Sequence, residues 1–166
     1  MDEPEGFREF VEARSRGLLR SAWLLSGDWQ LAEDLVQTAL VKTWPRWNQL
    51  IRRDRPEAYV RKVMLRTYLS WRKRRSWQEH PVADMPEVPV SGVDVEARQA
   101  LRAALNGLSH RQRAVVVLRY FDDLTEAQTA EALGCSIGTV KTHTSRAMAY
   151  LRAVPGLAAA LQQETL

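Results

Sequence analysis

The chain has 166 residues, of which 45% are apolar and 27% charged, and its formal net charge is +4. No run of 18 apolar residues occurs, which argues against a spanning helix, and the acidic start MDEPEGFREF lacks the apolar stretch of a secretory signal. The single cysteine, Cys135, excludes an internal disulfide and a multi-cysteine zinc site, and the three histidines lack metal-ligand spacing. We therefore expect a cytoplasmic globular protein that needs neither a metal nor a cofactor.

The charges are distributed in blocks. Residues 52–75 carry ten basic and two acidic side chains, whereas residues 76–97 carry five acidic and no basic ones. Residues 98–152 are basic again, with eight basic and four acidic side chains. A charge run often forms only a solvated surface, but two basic blocks separated by an acidic one favour two nucleic-acid-facing modules on a tether.

Helical periodicity predicts three helices in the N-terminal half, and together they can close one small core. These helices cover about residues 5–25, 29–44 and 56–77. Ser26-Gly27-Asp28 breaks the first helix, and Pro45 disrupts the second. Residues 46–55 are rich in arginine, and we predict that this segment is irregular. Three tryptophans are expected in the core and two could be exposed: Trp23, Trp29 and Trp71 in the first group, and Trp47 and Trp77 in the second.

An acidic segment separates this half from the next. Residues 76–96 contain three prolines, one glycine and five acids with little periodicity, which is typical of a linker. Beyond it, four helices are predicted over about residues 94–106, 109–121, 125–133 and 136–152. The fold class is therefore expected to be all-α, with two small helical domains joined by a flexible acidic linker.

The last two helices have the features of a helix-turn-helix. Thr125 with Gln128 predicts a capping box, Gly134 suits the left-handed position after a helix, and Ser136 caps the next helix. The first of these helices is expected to bury its small apolar residues Ala127, Ala130 and Leu133. The inner face predicted for the second is Val140, Thr144, Ala147 and Leu151. Its opposite face presents donors and acceptors suited to phosphates and base edges, namely Lys141, Thr142, Ser145 and Arg146.

Three segments resemble the extracytoplasmic-function (ECF) RNA polymerase sigma factors of the sigma-70 superfamily. LSHRQRAVVVLRYFDDLTEAQTAEALGCSIGTVKTHTSRAMAYLR (108–152) is similar to their promoter −35-binding region. AEDLVQTALVKTW (32–44) is similar to their polymerase-binding helix, and PEAYVRKVMLRTYLSWRKRR (56–75) to their −10-reading helix. Response regulators share this helix-turn-helix, so the C-terminal half alone does not identify the family. The AEDLVQ block in the N-terminal half makes the resemblance specific.

The resemblance implies a dissociable, non-enzymatic subunit that gives core RNA polymerase its promoter specificity and promotes DNA melting. It implies a three-helix bundle like sigma region 2 and a four-helix domain like sigma region 4. The implied divisions are a core polymerase- and −10-binding domain at 1–76, a linker at 77–95, a −35-binding domain at 96–153 and a tail at 154–166. The family also implies promoter DNA as a partner and commonly an anti-sigma factor, and a linker that threads toward the polymerase active-site cleft.

Site residues carry over by position. The polymerase contacts, to the clamp helices of the largest subunit, would be Asp34, Gln37 and Thr38. The −10 contacts would be Trp47, Asn48, Leu50, Ile51, Arg52, Arg53, Tyr59, Arg61, Lys62 and Arg66. The −35 contacts would be Arg119, Thr139, Lys141, Thr142, Ser145 and Arg146. Two positions depart from the family pattern, because relatives often carry Asn at the position of Arg66 and can carry a bulky residue at that of Ser145.

Two other classes of function account less well for the sequence. A helix-turn-helix transcriptional activator with an N-terminal sensor or oligomerisation domain shares the C-terminal half, but it has no need for a polybasic helix after an AEDLVQ-type helix. A small helical hydrolase lacks support, because the sequence has no nucleophile–base or metal-ligand spacing.

Overall fold

The computed structural model describes residues 2–54, 56–75 and 95–157, and all regular secondary structure in these ranges is helical. The chain divides into two compact units, Met1–Ala83 and Asp84–Leu166. The predicted all-α class is confirmed. The predicted linker, apart from its last residue Val95, and the tail beyond Leu157 lie outside the described residues. In the described part, no helix is long and apolar enough to cross a bilayer.

The first unit is a bundle in which α2 packs against both α1 and α4. Its elements are α1 (Phe7–Ser26), α2 (Trp29–Thr43), a 3-10 turn (Trp44–Arg46), α3 (Trp47–Arg52) and α4 (Pro56–Arg75). All four α-helices contribute to its core, whose largest fully buried side chains are Leu18, Leu25, Leu35, Trp47, Val60, Met64, Leu65 and Tyr68. Burial of these side chains fixes which faces of α2 and α4 remain exposed.

The break between α1 and α2 lies where the sequence predicts it. Gly27 adopts a left-handed conformation (φ 68°), and its N–H donates to the carbonyl of Trp23 at 2.7 Å. Asp28 then caps α2, because its carboxylate accepts from the backbone N–H of Leu31 at 2.9 Å.

The α3 segment differs from the expectation of an irregular stretch at 46–55. Trp47 begins α3 and is only 1% exposed, so the expectation that it could be exposed is wrong. Its indole Nε1 donates to the carbonyl of Glu5 at 2.9 Å, and its ring lies 5.0 Å from that of Phe7 and 4.9 Å from that of Phe10. These contacts with α1 anchor the segment and hold a short helix that its own sequence would not favour.

The second unit places α8 against both α6 and α7. Its elements are α5 (Val95–Asn106), α6 (His110–Val116), a π-helical turn (Val117–Phe121), α7 (Glu126–Leu133) and α8 (Ile137–Ala153). Large side chains in its core are Leu105, Leu108, Val115, Val117, Leu133, Val140, Leu151 and Leu157. The helix predicted over 109–121 is confirmed as a continuous helical stretch over 110–121. Its last turn widens to π geometry, since the N–H of Asp122 donates to the carbonyl of Val117, five residues back.

The caps around the helix-turn-helix are confirmed. Thr125 and Gln128 form a reciprocal capping box, with bonds of 2.9 and 3.1 Å. Gly134 ends α7 at φ 67°, and the Ser136 hydroxyl accepts from the N–H of Thr139 at 3.1 Å. The expected burial of Ala127 is wrong. With α7 starting at Glu126, its buried residues are Thr129, Ala130 and Leu133, and Ala127 falls on the exposed side.

Candidate nucleic-acid and polymerase interfaces

The outward face of α8 is polar and exposed along its first three turns. Val140, Ala147 and Leu151 face inward. Four of the six predicted −35 residues are exposed on the other side, namely Lys141, Thr142, Ser145 and Arg146. Thr139 is half-buried, and its hydroxyl shares a 2.9 Å hydrogen bond with that of Ser136. The helix therefore presents two cations and two hydroxyls on one surface, while Thr139 serves mainly its N-terminal cap.

Glu126 extends this surface onto α7. Its carboxylate Oε2 lies 3.9 Å from Nζ of Lys141, and both side chains are exposed enough to be well solvated. At this exposure the ion pair contributes little to stability, on the order of 0–1 kcal/mol. Its main effect is to bias where the Lys141 ammonium lies. Glu126 could not be identified from the sequence, because only the crossing of α7 and α8 brings the two residues together.

His143 lies at the edge of the same helix and is held neutral. Its pKa is lowered by burial and, to a lesser extent, by the positive charges of Arg111 and Arg146. Its Nδ1 is buried with no hydrogen-bond partner among the described residues. The charge on this face of α8 therefore comes from Lys141 and Arg146 and not from the imidazole.

Arg119 is tied to the turn before the helix-turn-helix. Its Nη1 donates to the carbonyl of Leu124 at 2.7 Å, and its Nε is buried with no partner found within the described ranges. The turn beside it is tight, since Asp123 has a positive φ of 53°. In this position Arg119 supports the start of α7, and it is less available to DNA than the four exposed residues of α8.

The predicted −10 residues fall into an exposed set and a structural set. The exposed side chains are Asn48, Ile51, Arg52, Arg53 and Arg66, and the half-buried ones are Leu50, Tyr59 and Lys62. Trp47 belongs to the core. Arg46, which the sequence analysis left out, donates from Nη1 to the Tyr59 hydroxyl at 3.4 Å. It therefore adds a further exposed cation, which lies just before α3 and contacts α4.

Arg61 is engaged within the protein. Its Nη1 donates to the Ser21 hydroxyl at 2.7 Å, and its Nη2 lies 3.0 Å from Oε1 of Glu57. The second carboxylate oxygen of Glu57 lies 3.3 Å from Nε of Arg14, and the Arg61 side chain is only 16% exposed. Arg61 thus links α4 to α1, a role that the sequence does not reveal because Ser21 lies 40 residues away.

On α2, the predicted polymerase contacts lie away from the core. Asp34 and Gln37 are exposed and Thr38 is half-buried, whereas Leu35 and Val36 between them are buried. Val41, one turn further along, is 72% exposed. The helix therefore packs inward while presenting an acid, an amide and an apolar side chain outward. In the described residues, no group of His, Cys, Asp or Glu side chains could hold a metal ion.

Comparisons with known proteins agree with this arrangement. The family model of sigma-70 region 2 matches residues 10–78, and that of sigma-70 region 4 matches residues 98–151. The chain is 40% identical over 154 residues to the RNA polymerase sigma-E factor of Streptomyces coelicolor, which covers 92% of this chain and 87% of that protein. It is 30% identical over 153 residues to the ECF RNA polymerase sigma factor SigM of Mycobacterium tuberculosis, covering 90% and 77% of the two chains.

A solved structure supports the same conclusion. The sigma factor RpoE of Bartonella quintana, in its complex with the anti-sigma factor NepR, superposes with a TM-score of 0.73 at 26% identity, covering 96% of this chain and 98% of that one. The two matched regions together span most of the chain, with region 2 in the N-terminal half and region 4 in the C-terminal half. The chain therefore belongs to the sigma-70 family and is an ECF RNA polymerase sigma factor, a protein of transcription initiation.

Proposed function

We propose that the two units divide promoter recognition between them. Residues 96–153 bind the −35 element, and residues 1–76 bind core polymerase and the opened −10 element, with 77–95 as the linker and 154–166 as a tail. The observation that carries this proposal is the outward face of α8, where Lys141, Thr142, Ser145 and Arg146 are exposed together on a helix held by its caps and by α7.

At the −35 element, α8 enters the major groove and Arg146 contacts a guanine. A guanidinium can donate two parallel bonds to guanine O6 and N7, and Arg146 is exposed on the polar face of α8. Lys141 contacts a phosphate, which positions the protein without reading sequence. Replacing Arg146 with alanine should cost about 1–3 kcal/mol and relax one base position, whereas Lys141→Ala should weaken all sequences alike.

At the −10 element, the exposed residues of α3 and α4 hold the opened strand. Opening a base costs a few kcal/mol, which stacking and contacts to the single strand can repay. Arg52, Arg53 and Arg66 supply the cations and Ile51 an apolar surface, and Tyr59 is held beside them by Arg46. Trp47 acts indirectly, because it anchors α3 to α1.

Core polymerase is contacted by α2 through Asp34 and Gln37, with Thr38 beside them. Their partner is the paired clamp helices of the largest subunit. A charge-reversing Asp34→Lys change together with Gln37→Ala should weaken the 1:1 complex with core polymerase in size-exclusion chromatography at micromolar concentration. Because both side chains are exposed, the double variant should fold normally. We also propose an anti-sigma factor as a partner, since the Bartonella quintana relative forms such a complex.

Transcription by core polymerase tests the proposal. Core polymerase with this protein alone should start transcripts at a cognate promoter, and permanganate should detect unpaired thymines near −10. An activator would bind closed duplex and need another sigma factor. Transcripts that appear only when a second sigma factor is added would overturn the proposal. The match of residues 10–78 to sigma-70 region 2 favours the sigma factor over the activator.

A further inference from the structure

The centre of the outward face of α8 carries no side chain. Gly138 lies nearly opposite the inward-facing Val140 and Ala147, since each residue advances about 100° around an α-helix. A Cβ placed on Gly138 would meet only the Ser136 hydroxyl, at 3.8 Å, which is an ordinary contact. Nothing within the described protein therefore requires glycine at this position for reasons of space.

Conformation does not require glycine at this position either. Gly138 lies within the regular α8 helix and is not among the glycines with positive φ. Gly138 is the second residue of α8, and glycine has a lower intrinsic helix propensity than alanine. Neither space, nor conformation, nor helix propensity accounts for glycine at this position, which leaves the approach of an outside group.

Thr142 lies one turn further along α8, on the same outward side as Gly138. Its hydroxyl donates to the carbonyl of Gly138 at 3.0 Å. A hydroxyl has one proton and two acceptor lone pairs, so a Thr142 hydroxyl that donates to Gly138 can only accept from an outside group. With no side chain at position 138, that oxygen remains uncovered.

We propose that Gly138 and Thr142 form a base-reading notch that accepts the exocyclic amino group of adenine or cytosine. Glycine lets a base edge approach the helix backbone closely, and the Thr142 oxygen accepts the amino proton. In the major groove, adenine N6 and cytosine N4 are the donors, whereas guanine O6 and thymine O4 are acceptors and would face a second acceptor. The notch rests on the proposed insertion of α8 into the major groove and adds to it a chemical rule for one base pair.

The first arm of the test measures the bare position. Holoenzyme reconstituted from core polymerase and Gly138→Ala should bind a −35-containing promoter at least tenfold more weakly than wild type, while the melting temperature of the free protein stays the same or rises. The matched control is Gly17→Ala on α1, where a Cβ would lie 3.7 Å from Nη2 of Arg61 and remain an ordinary contact. That variant should bind DNA within twofold of wild type. If holoenzyme with Gly138→Ala binds the promoter with wild-type affinity, the proposed close approach of a base edge to the α8 backbone is overturned.

The second arm measures the hydrogen bond. A promoter library randomised through the −35 element should show one position at which wild-type holoenzyme prefers A or C. Thr142→Val keeps the shape and removes the acceptor, so this preference should fall about tenfold while the other positions are unchanged, and Thr142→Ser should restore it. Replacing the preferred adenine with purine, which lacks the amino group, or the preferred cytosine with 2-pyrimidinone should weaken wild type to the same extent and Thr142→Val no further.

The outcomes separate the notch from the proposed function. Wild-type holoenzyme that does not form, or that binds without any −35 preference, overturns both. Holoenzyme that reads the −35 element but prefers G or T at the position altered by Thr142→Val, or keeps its preference in that variant, overturns the notch alone.

Discussion

At the scale of single residues, Arg61 shows how a side chain that resembles a DNA contact can be used inside the protein. It lies in the basic block 52–75, but its guanidinium is held by Ser21 and Glu57. Ser21 is 3% exposed, so removing Arg61 would leave a buried hydroxyl without this donor. The cations of α4 are therefore not interchangeable, and charge counting alone overstates the surface available to DNA.

Replacing Arg61 with alanine should destabilise the folded protein by about 1–2 kcal/mol, because hydrogen bonds to a partly buried charged group contribute more than exposed ion pairs do. Urea denaturation followed by tryptophan fluorescence measures this loss. Arg66→Ala, which removes an exposed guanidinium from the same helix, is the matched control and should change stability by less than about 0.5 kcal/mol. Equal stability of the two variants would place Arg61 back among the available DNA contacts.

At the scale of helices, α8 combines an exposed polar face with a neutral histidine at its edge. The pKa of His143 is lowered from its usual 6.5, first by burial and then by Arg111 and Arg146. Well above pH 6.5 the imidazole is neutral in both the folded and unfolded states. As the pH falls below 6.5, the unfolded chain gains a proton that the folded one resists, so folding stability decreases.

We therefore expect the second unit to lose stability between pH 7 and pH 5, with part of that loss due to His143. Thermal unfolding followed by circular dichroism across this range measures it. His143→Gln should reduce the pH dependence, because glutamine does not titrate. A slope unchanged by His143→Gln would contradict the assignment.

The helices also show which parts of the fold are predictable from sequence. The caps at Thr125 and Ser136 depend on residues three positions away, and both form as expected. By contrast, α3 forms around Trp47, whose partners Glu5 and Phe7 lie about 40 residues earlier, just before α1 and at its start. Local patterns therefore predict helix ends well, whereas short elements held by distant contacts are missed.

The same distinction applies to the candidate sites. The exposed faces of α2 and α8 follow directly from helical periodicity, because their apolar residues identify the opposite side. The Glu126–Lys141 pair and the Arg46–Tyr59 bond each join two elements, and no local spacing predicts them. Periodicity therefore predicts which surface is available, but not which of its charges are already paired.

At the scale of the whole molecule, the proposed contacts with the promoter are divided between surfaces on different units. Arg146 lies on α8 in the second unit, whereas Arg52 and Arg53 lie at the end of α3 in the first. In the proposed function, the first surface binds closed duplex and the second binds the opened strand. Substitutions in the two units should therefore affect different steps of initiation.

Arg146→Ala should reduce closed-complex formation at the cognate promoter, with little effect on the rate of opening once the complex has formed. Arg52→Gln with Arg53→Gln should do the reverse, retaining upstream protection while reducing permanganate reactivity near −10. Effects at independent sites add within about 0.3–0.5 kcal/mol, so the triple variant should show both defects at their separate magnitudes. Footprinting at a temperature that blocks opening isolates the first step. A triple variant with a much larger loss than the product of the two would mean that −35 reading and strand opening are coupled, and that the units do not act independently.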